Sequence, residues 1–248
     1  MLFVRAIVAG LALTLATAGV QAASKAELQK AADQCFGKTA ADWPVMASAC
    51  TTIIGAKIST EAKAGAYYNR GSAYLRLGGG KNALNDFNAA LKLKPDFSRA
   101  LQARAGILIG QNKPDLALAD LNKAIALDPK ASAAFSNRGL IYAGKKDFAR
   151  AIADLTKAIE LEPGDAKGYS VRGSVYVAKG DKERGLSDLN KAVDLDPKLS
   201  VAYFNRGMLF ASNGDKTRAK ADLQSVLSID SGNQQAKDEL AKLAKAGG

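Results

Sequence analysis

The chain repeats itself every 34 residues. The stretch 132–165, SAAFSNRGLIYAGKKDFARAIADLTKAIELEPGD, is answered by AYYNRGSAYLRLGG two periods earlier and by GYSVRGSVYVAKGD and AYFNRGMLFASNGD one and two periods later. Pro95, Pro129, Pro163 and Pro197 mark the same register, and Ser231 holds the fifth slot. A unit this short cannot bury an apolar face alone, so successive copies must stack and share a core. Five copies fill 64–233.

Each copy resolves into two helical stretches. In the third, Ala134, Arg138, Gly139 and Tyr142 share one helix face, and Ala151, Leu155 and Ala158 share another. Gly139 and Ala151 are small where two helices must approach closely, and Tyr142 and Leu155 fill the space beside them. The proline then ends the second helix, because the residue before it is pushed out of helical geometry. The fold class that follows is all-α, built from antiparallel helix pairs.

Composition narrows the chemistry. With 48% hydrophobic and 24% charged residues the chain is expected to fold rather than remain disordered. It contains no histidine, the commonest general base and metal ligand, and only two cysteines, Cys35 and Cys50. The expectation is a non-enzymatic protein with no cofactor and no metal.

Residues 1–22 carry Arg5, an uncharged and mostly apolar run from Ala6 to Val20, and then Val20-Gln21-Ala22. This pattern predicts a secretory signal peptide cut before Ala23, the alternative being a retained anchor; the run is shorter than the about 20 residues that span a bilayer. No cysteine follows it to accept a lipid. Cleavage would leave 34 basic against 24 acidic residues. Export argues against nucleic acid as the partner of that basic surface, leaving acidic protein segments, an anionic envelope surface, or lysines that simply solvate the helices. No stable membrane insertion is expected after cleavage.

Residues 23–63 predict a weaker helical hairpin. Leu28, Ala31, Ala32 and Cys35 share a face of a helix over 25–36, and 45–54 reads as a second helix carrying Cys50, with Trp43 and Pro44 in the turn. The hairpin sets the two cysteines opposite one another, and an oxidising compartment would join them. Closing a loop of this size stabilises by about 3 kcal/mol in the chain-entropy model. The spacing is not that of a Cys-x-x-Cys redox pair. At the other end, 234–248 predicts a capping helix with Ala236, Leu240, Leu243 and Ala244 on one face.

The five copies resemble the tetratricopeptide repeat, column by column. The aromatic early in the first helix is Tyr67, Phe135, Tyr169 and Tyr203, with Leu101 in the second copy. The small residue four positions on is Gly71, Ala105, Gly139, Gly173 and Gly207, followed by Tyr74, Leu108, Tyr142, Tyr176 and Phe210. The second helix supplies Ala83, Ala117, Ala151, Gly185 and Ala219, then Phe87, Leu121, Leu155, Leu189 and Leu223, then Ala90, Ala124, Ala158, Ala192 and, departing from the pattern, Val226. The resemblance implies a right-handed superhelical solenoid whose first helices line a concave groove for protein partners. The hairpin of 23–63 would be a degenerate sixth copy, although Met46 and Ile53 then stand where small residues belong.

One departure from the family is systematic. Where it usually carries leucine, every copy has arginine: Arg70, Arg104, Arg138, Arg172 and Arg206. Every second helix carries Asp86, Asp120, Asp154, Asp188 or Asp222. These columns are expected to form a structural ladder of ion pairs, within or between copies, in which the guanidinium fork fixes how the helices stack.

In the family, the residue before that arginine is commonly an asparagine that bonds the backbone of an extended peptide. Here the slot reads Asn69, Ala103, Asn137, Val171 and Asn205. An amide offers the donor and the acceptor that a peptide backbone needs. The alternative is that these amides bond neighbouring helix ends. Adjacent slots add Tyr68, Gln102, Ser136, Ser170 and Phe204, then Ser72, Gly106, Leu140, Ser174 and Met208. The expected peptide groove thus centres on Asn69, Asn137 and Asn205, with Tyr68, Gln102, Phe204 and Met208 beside them. No lysine occupies these slots, so the carboxylate grip of some family members is incomplete.

Gly78-Gly79-Gly80-Lys81 is followed by Asn82, not the serine or threonine of a phosphate loop, and reads as a turn. The pairs Glu160 and Glu162, and Asp194 and Asp196, recur beside the closing proline as solvated helix ends. The function these features predict is a protein-binding scaffold of the bacterial periplasm or cell envelope. The competing expectation is a basic envelope protein attached to anionic polymer or lipid.

Overall fold

The computed structural model describes residues 24–37 and 42–245; the segment 1–22, expected to be a signal peptide, lies outside them. Among the described residues the chain forms thirteen α-helices and no strand. They fall into two compact units, divided between Pro129 and Lys130.

The first unit holds three hairpins: α1 (Lys25–Phe36) with α2 (Trp43–Gly55), α3 (Thr60–Arg76) with α4 (Gly80–Leu93), and α5 (Ser98–Gly110) with α6 (Pro114–Leu127). Ser24 starts α1 with a capping box, its hydroxyl accepting from Glu27 N–H at 3.2 Å while the Glu27 carboxylate accepts from Ser24 N–H at 2.7 Å. Trp43 and Pro44, expected in the turn, instead form the first turn of α2, because Asp42 caps that helix and proline suits its start. Cys35 and Cys50 are joined, with Cα atoms 4.9 Å apart. The disulfide is fully buried in a cluster of Ala31, Ala32, Ala49, Ile53 and Ala66, so the first hairpin packs against α3 through it.

The second unit holds α7 (Ser132–Gly144) with α8 (Phe148–Leu161), α9 (Ala166–Lys179) with α10 (Lys182–Leu195), α11 (Ser200–Ser212) with α12 (Lys216–Ile229), and the closing helix α13 (Gln234–Lys245). Within each unit, every hairpin packs on the next. The repeat columns form the core: Phe87, Leu121, Leu155, Leu189 and Leu223 are all buried beneath the small residues of the first helices. A methyl group on Gly139 would come within 2.9 Å of Leu155 Cγ, so only glycine permits that approach. Val226, the departure in the last copy, is buried against Ala236 of α13, where the closing helix needs a larger neighbour.

Two local devices recur at fixed register. The turn between the helices of each copy contains one residue in the left-handed region: Gly78, Asn112, Lys146, Gly180 and Gly214. The second helices end on Lys94, Asp128, Glu162, Asp196 and Asp230, all with φ between −133° and −140°. Asp230 ends its helix in the same way although Ser231 replaces proline, so the stop does not depend on the ring alone.

Candidate functional site

The arginine column organises each hairpin from inside. Arg172 donates from Nε to Asp188 Oδ2 at 2.7 Å and from Nη2 to Oδ1 at 2.9 Å. The same two-bond fork joins Arg70 to Asp86, Arg104 to Asp120, Arg138 to Asp154 and Arg206 to Asp222. The remaining Nη1 reaches the second helix of the preceding hairpin: Arg70 to Thr51 Oγ1 at 3.0 Å, Arg104 to Asn88 Oδ1 at 2.9 Å, Arg172 to Thr156 Oγ1 at 3.1 Å and Arg206 to Asn190 Oδ1 at 2.8 Å. The carboxylate is therefore met within a hairpin and the third nitrogen between hairpins. Hydrogen bonding to the aspartate raises the pKa of each of these guanidinium groups above its ordinary value.

The aromatic columns complete this arrangement. Arg172 lies 5.6 Å from the Tyr169 ring and 5.9 Å from the Tyr176 ring, and Arg70 and Arg206 are flanked in the same way. Rings one helical turn either side of the arginine cover its faces while its edge bonds the carboxylate. Arg104, flanked by Leu101 and Leu108, is the most exposed of the five.

Among the described residues, a second arginine device occurs only in the second unit. Asp147, Asp181 and Asp215 cap α8, α10 and α12 by accepting the N–H of Arg150, Arg184 and Arg218. Each arginine also folds back onto its aspartate and covers a ring of the first helix: Tyr142 at 4.5 Å, Tyr176 at 4.7 Å and Phe210 at 4.3 Å. These backbone and side-chain hydrogen bonds hold the three aspartates below the usual carboxylate range.

The recessed surface of the second unit is a cavity of about 530 Å3 across α7, α9 and α11. Leu140 and Ala143 line it from α7, Phe148 from the start of α8, Val171, Val175 and Ala178 from α9, and Val201 from α11. Its polar groups are Lys167, Ser170, Ser174 and Asn205. Leu140 and Val201 are 44% and 47% exposed, so apolar surface faces solvent here. Ser174 spends its hydroxyl on Ser170 C=O at 2.9 Å. Ser170 is 1% exposed, and its Oγ only accepts from Asn205 Nδ2 at 3.4 Å, a long bond.

Of the asparagines singled out from sequence, Asn205 lines this cavity. Asn69 lies in the first unit and donates to the Cys35 carbonyl at 2.8 Å, bonding the end of α1. Asn137 is half-buried on α7, outside the cavity lining. The neighbouring slots pack instead. Tyr68 packs at a tilt against Phe87 and Phe97 with Arg99 over its ring, Gln102 donates to Ser98 Oγ at 3.1 Å, and Phe204 packs into the cluster under α13. Met208 is half-buried on α11 and does not line the cavity. Sequence reasoning took three slots per copy, Leu140, Ser170, Val171 and Ser174 among them, but missed Lys167, Val175, Ala178 and Val201. Each lies one or two turns from Val171 or Asn205, and the helical period would have found them.

Tetratricopeptide-repeat profiles match residues 64–97, 103–166, 166–199 and 200–233. The chain belongs to the tetratricopeptide repeat family. Its fold is similar to that of YrrB, described as a TPR protein with an unusual peptide-binding site, at 20% identity over 78% of this chain and 98% of that one, with a TM-score of 0.60. It is also similar to TTC0263, a thermophilic TPR protein of Thermus thermophilus (21% identity, 72% and 97% of the two chains, TM-score 0.61), and to pilF of Pseudomonas aeruginosa (20% identity, 74% and 83%, TM-score 0.65). Comparison with curated protein sequences finds no match. The fold and family are those of protein-interaction modules, and among the described residues no helix is long and apolar enough to cross a membrane.

Proposed function

We propose that this protein is a non-enzymatic scaffold of the bacterial periplasm or cell envelope that holds an extended segment of a partner protein in the groove across α7, α9 and α11. The observation that carries this reading is an open, mostly apolar cavity with an underused hydroxyl and amide, Ser170 and Asn205, on its floor. Apolar walls supply affinity, and a few placed polar groups fix a peptide backbone. The peptide-binding site ascribed to YrrB agrees with it. The buried disulfide supports an oxidising compartment.

A photocrosslinking amino acid at Val201, inside the groove, is expected to trap a partner in intact cells, whereas one at exposed Lys191 on α10 is not. Leu140→Asp should abolish the Val201 adduct, since Leu140 is exposed and its replacement leaves the stack intact. Equal adducts from both positions would refute groove binding. Attachment that instead fades at high salt in the Leu140→Asp variant and the parent alike would favour adhesion of the basic surface to anionic polymer or lipid.

A further inference from the structure

We infer that this groove is polarised along α9, and that its occupant is an extended peptide with apolar side chains seated toward the carboxyl end of α9 and an acidic side chain, about four residues away, meeting Lys167 at the other end; this rests on the groove reading above. Lys167, Ser170, Val171, Ser174, Val175 and Ala178 recur every three or four residues and so occupy one face of α9. The end near Val175 and Ala178 is wholly apolar, because Ala143 and Phe148 of the preceding hairpin cluster there with Val175. The other end carries Lys167, the one cation among the described residues that line the cavity.

Lys167 is exposed, and its ammonium makes no ion pair or hydrogen bond among the described residues. Nearby Asp165 is already committed, its carboxylate accepting the Lys167 backbone N–H at 3.1 Å as the cap of α9. The unpaired ammonium favours a carboxylate over a neutral or basic group. The eight residues from Lys167 to Val175 span about 12 Å of helix, which an extended peptide covers in about four residues.

The test uses acetylated and amidated peptides with three central leucines and one residue, four positions from the middle leucine on each side, set to aspartate, glutamine or lysine. Blocking the termini removes any contribution from a terminal carboxylate. Fluorescence anisotropy with an uncharged dye at low salt is expected to rank aspartate above glutamine by about threefold and lysine last, the size of an exposed ion pair. The ranking should collapse at about 0.5 M salt and reverse in Lys167→Glu, whose melting curve verifies folding. Equal affinities, or an order unchanged in Lys167→Glu, would overturn the polarity and leave the groove reading standing. Tighter binding with the aspartates moved next to the leucines would overturn the spacing. No binding of any of the three peptides would overturn both readings.

Discussion

Replacing Asp188 by alanine should destabilise the second unit by about 3 kcal/mol, a figure set by how far the pair is withdrawn from water. Removing one partner of a fully buried pair costs about 3–5 kcal/mol, whereas exposed pairs matter by under about 1 kcal/mol. The Arg172 and Asp188 side chains are 16% and 10% exposed, so the value falls at the lower edge of the buried range. The variant leaves Nε–H and Nη2–H of Arg172 facing no acceptor, with only Thr156 still bonded. Each kcal/mol shifts the melting temperature of a chain this size by about 2–4 °C, so the expected drop is about 6–12 °C. Urea denaturation followed by circular dichroism measures it, and a biphasic curve would show one unit melting first. Glu160→Ala, which breaks the exposed Lys157–Glu160 pair, should cost under about 0.5 kcal/mol. The double variant Arg172→Met with Asp188→Leu should recover most of the loss, because the penalty lies in the stranded charge. A loss below about 1 kcal/mol for Asp188→Ala, or no recovery in the double variant, would refute this reasoning.

Lys146 holds φ 60° in a slot that glycine fills in three other copies, so Lys146→Gly should stabilise by about 0.5–1 kcal/mol; an unchanged denaturation midpoint would show that the turn is unstrained. Asp147, Asp181 and Asp215 have depressed pKa values in the folded state, so their contribution is complete above the ordinary aspartate pKa and is lost as pH falls through the lower folded values. Melting temperature should therefore decline in acid, and replacing all three by asparagine, which still caps, should flatten that decline. Replacing Cys35 and Cys50 by alanine should loosen the first hairpin by about 3 kcal/mol, read as faster amide exchange in α1 and α2 with α9–α12 unchanged.

The period made the stack legible because the residues that build it must recur: Gly139, Tyr142, Ala151 and Leu155 perform the same packing in every copy. It also exposed the Arg172 and Asp188 columns, though not that Nη1 would bridge to the preceding hairpin, since that bond goes to threonine in some copies and asparagine in others. The Asp147, Arg150 and Tyr142 clamp stayed hidden for a geometric reason. It depends on the turn at Lys146 folding the start of α8 back beside the ring, which no spacing along one helix reports. The groove was the least legible element, because Lys167 and Val201, 34 residues apart, fill one column with unlike residues, as do Gly65, Arg99 and Ala133. What is common to all copies maintains the scaffold, and what varies between them shapes the cavity.

The asparagine slot makes two different bonds at one register. Asn69 donates to the carbonyl of Cys35, one half of the buried disulfide, at 2.8 Å, and a peptide could take that amide only by stranding the carbonyl. Asn205 makes a 3.4 Å bond to a hydroxyl at the floor of an open cavity, and an incoming peptide carbonyl at about 2.9 Å is the better acceptor. Asn69→Ala should therefore cost about 1 kcal/mol of stability and leave binding of the aspartate peptide unaltered. Asn205→Ala should do the reverse, leaving the melting curve within about 0.5 kcal/mol and weakening the peptide by about fivefold. Paired urea melts and anisotropy titrations of the two variants separate these effects. If Asn69→Ala weakens the peptide as much as Asn205→Ala does, the division between a structural amide in the first unit and a binding amide in the second is wrong.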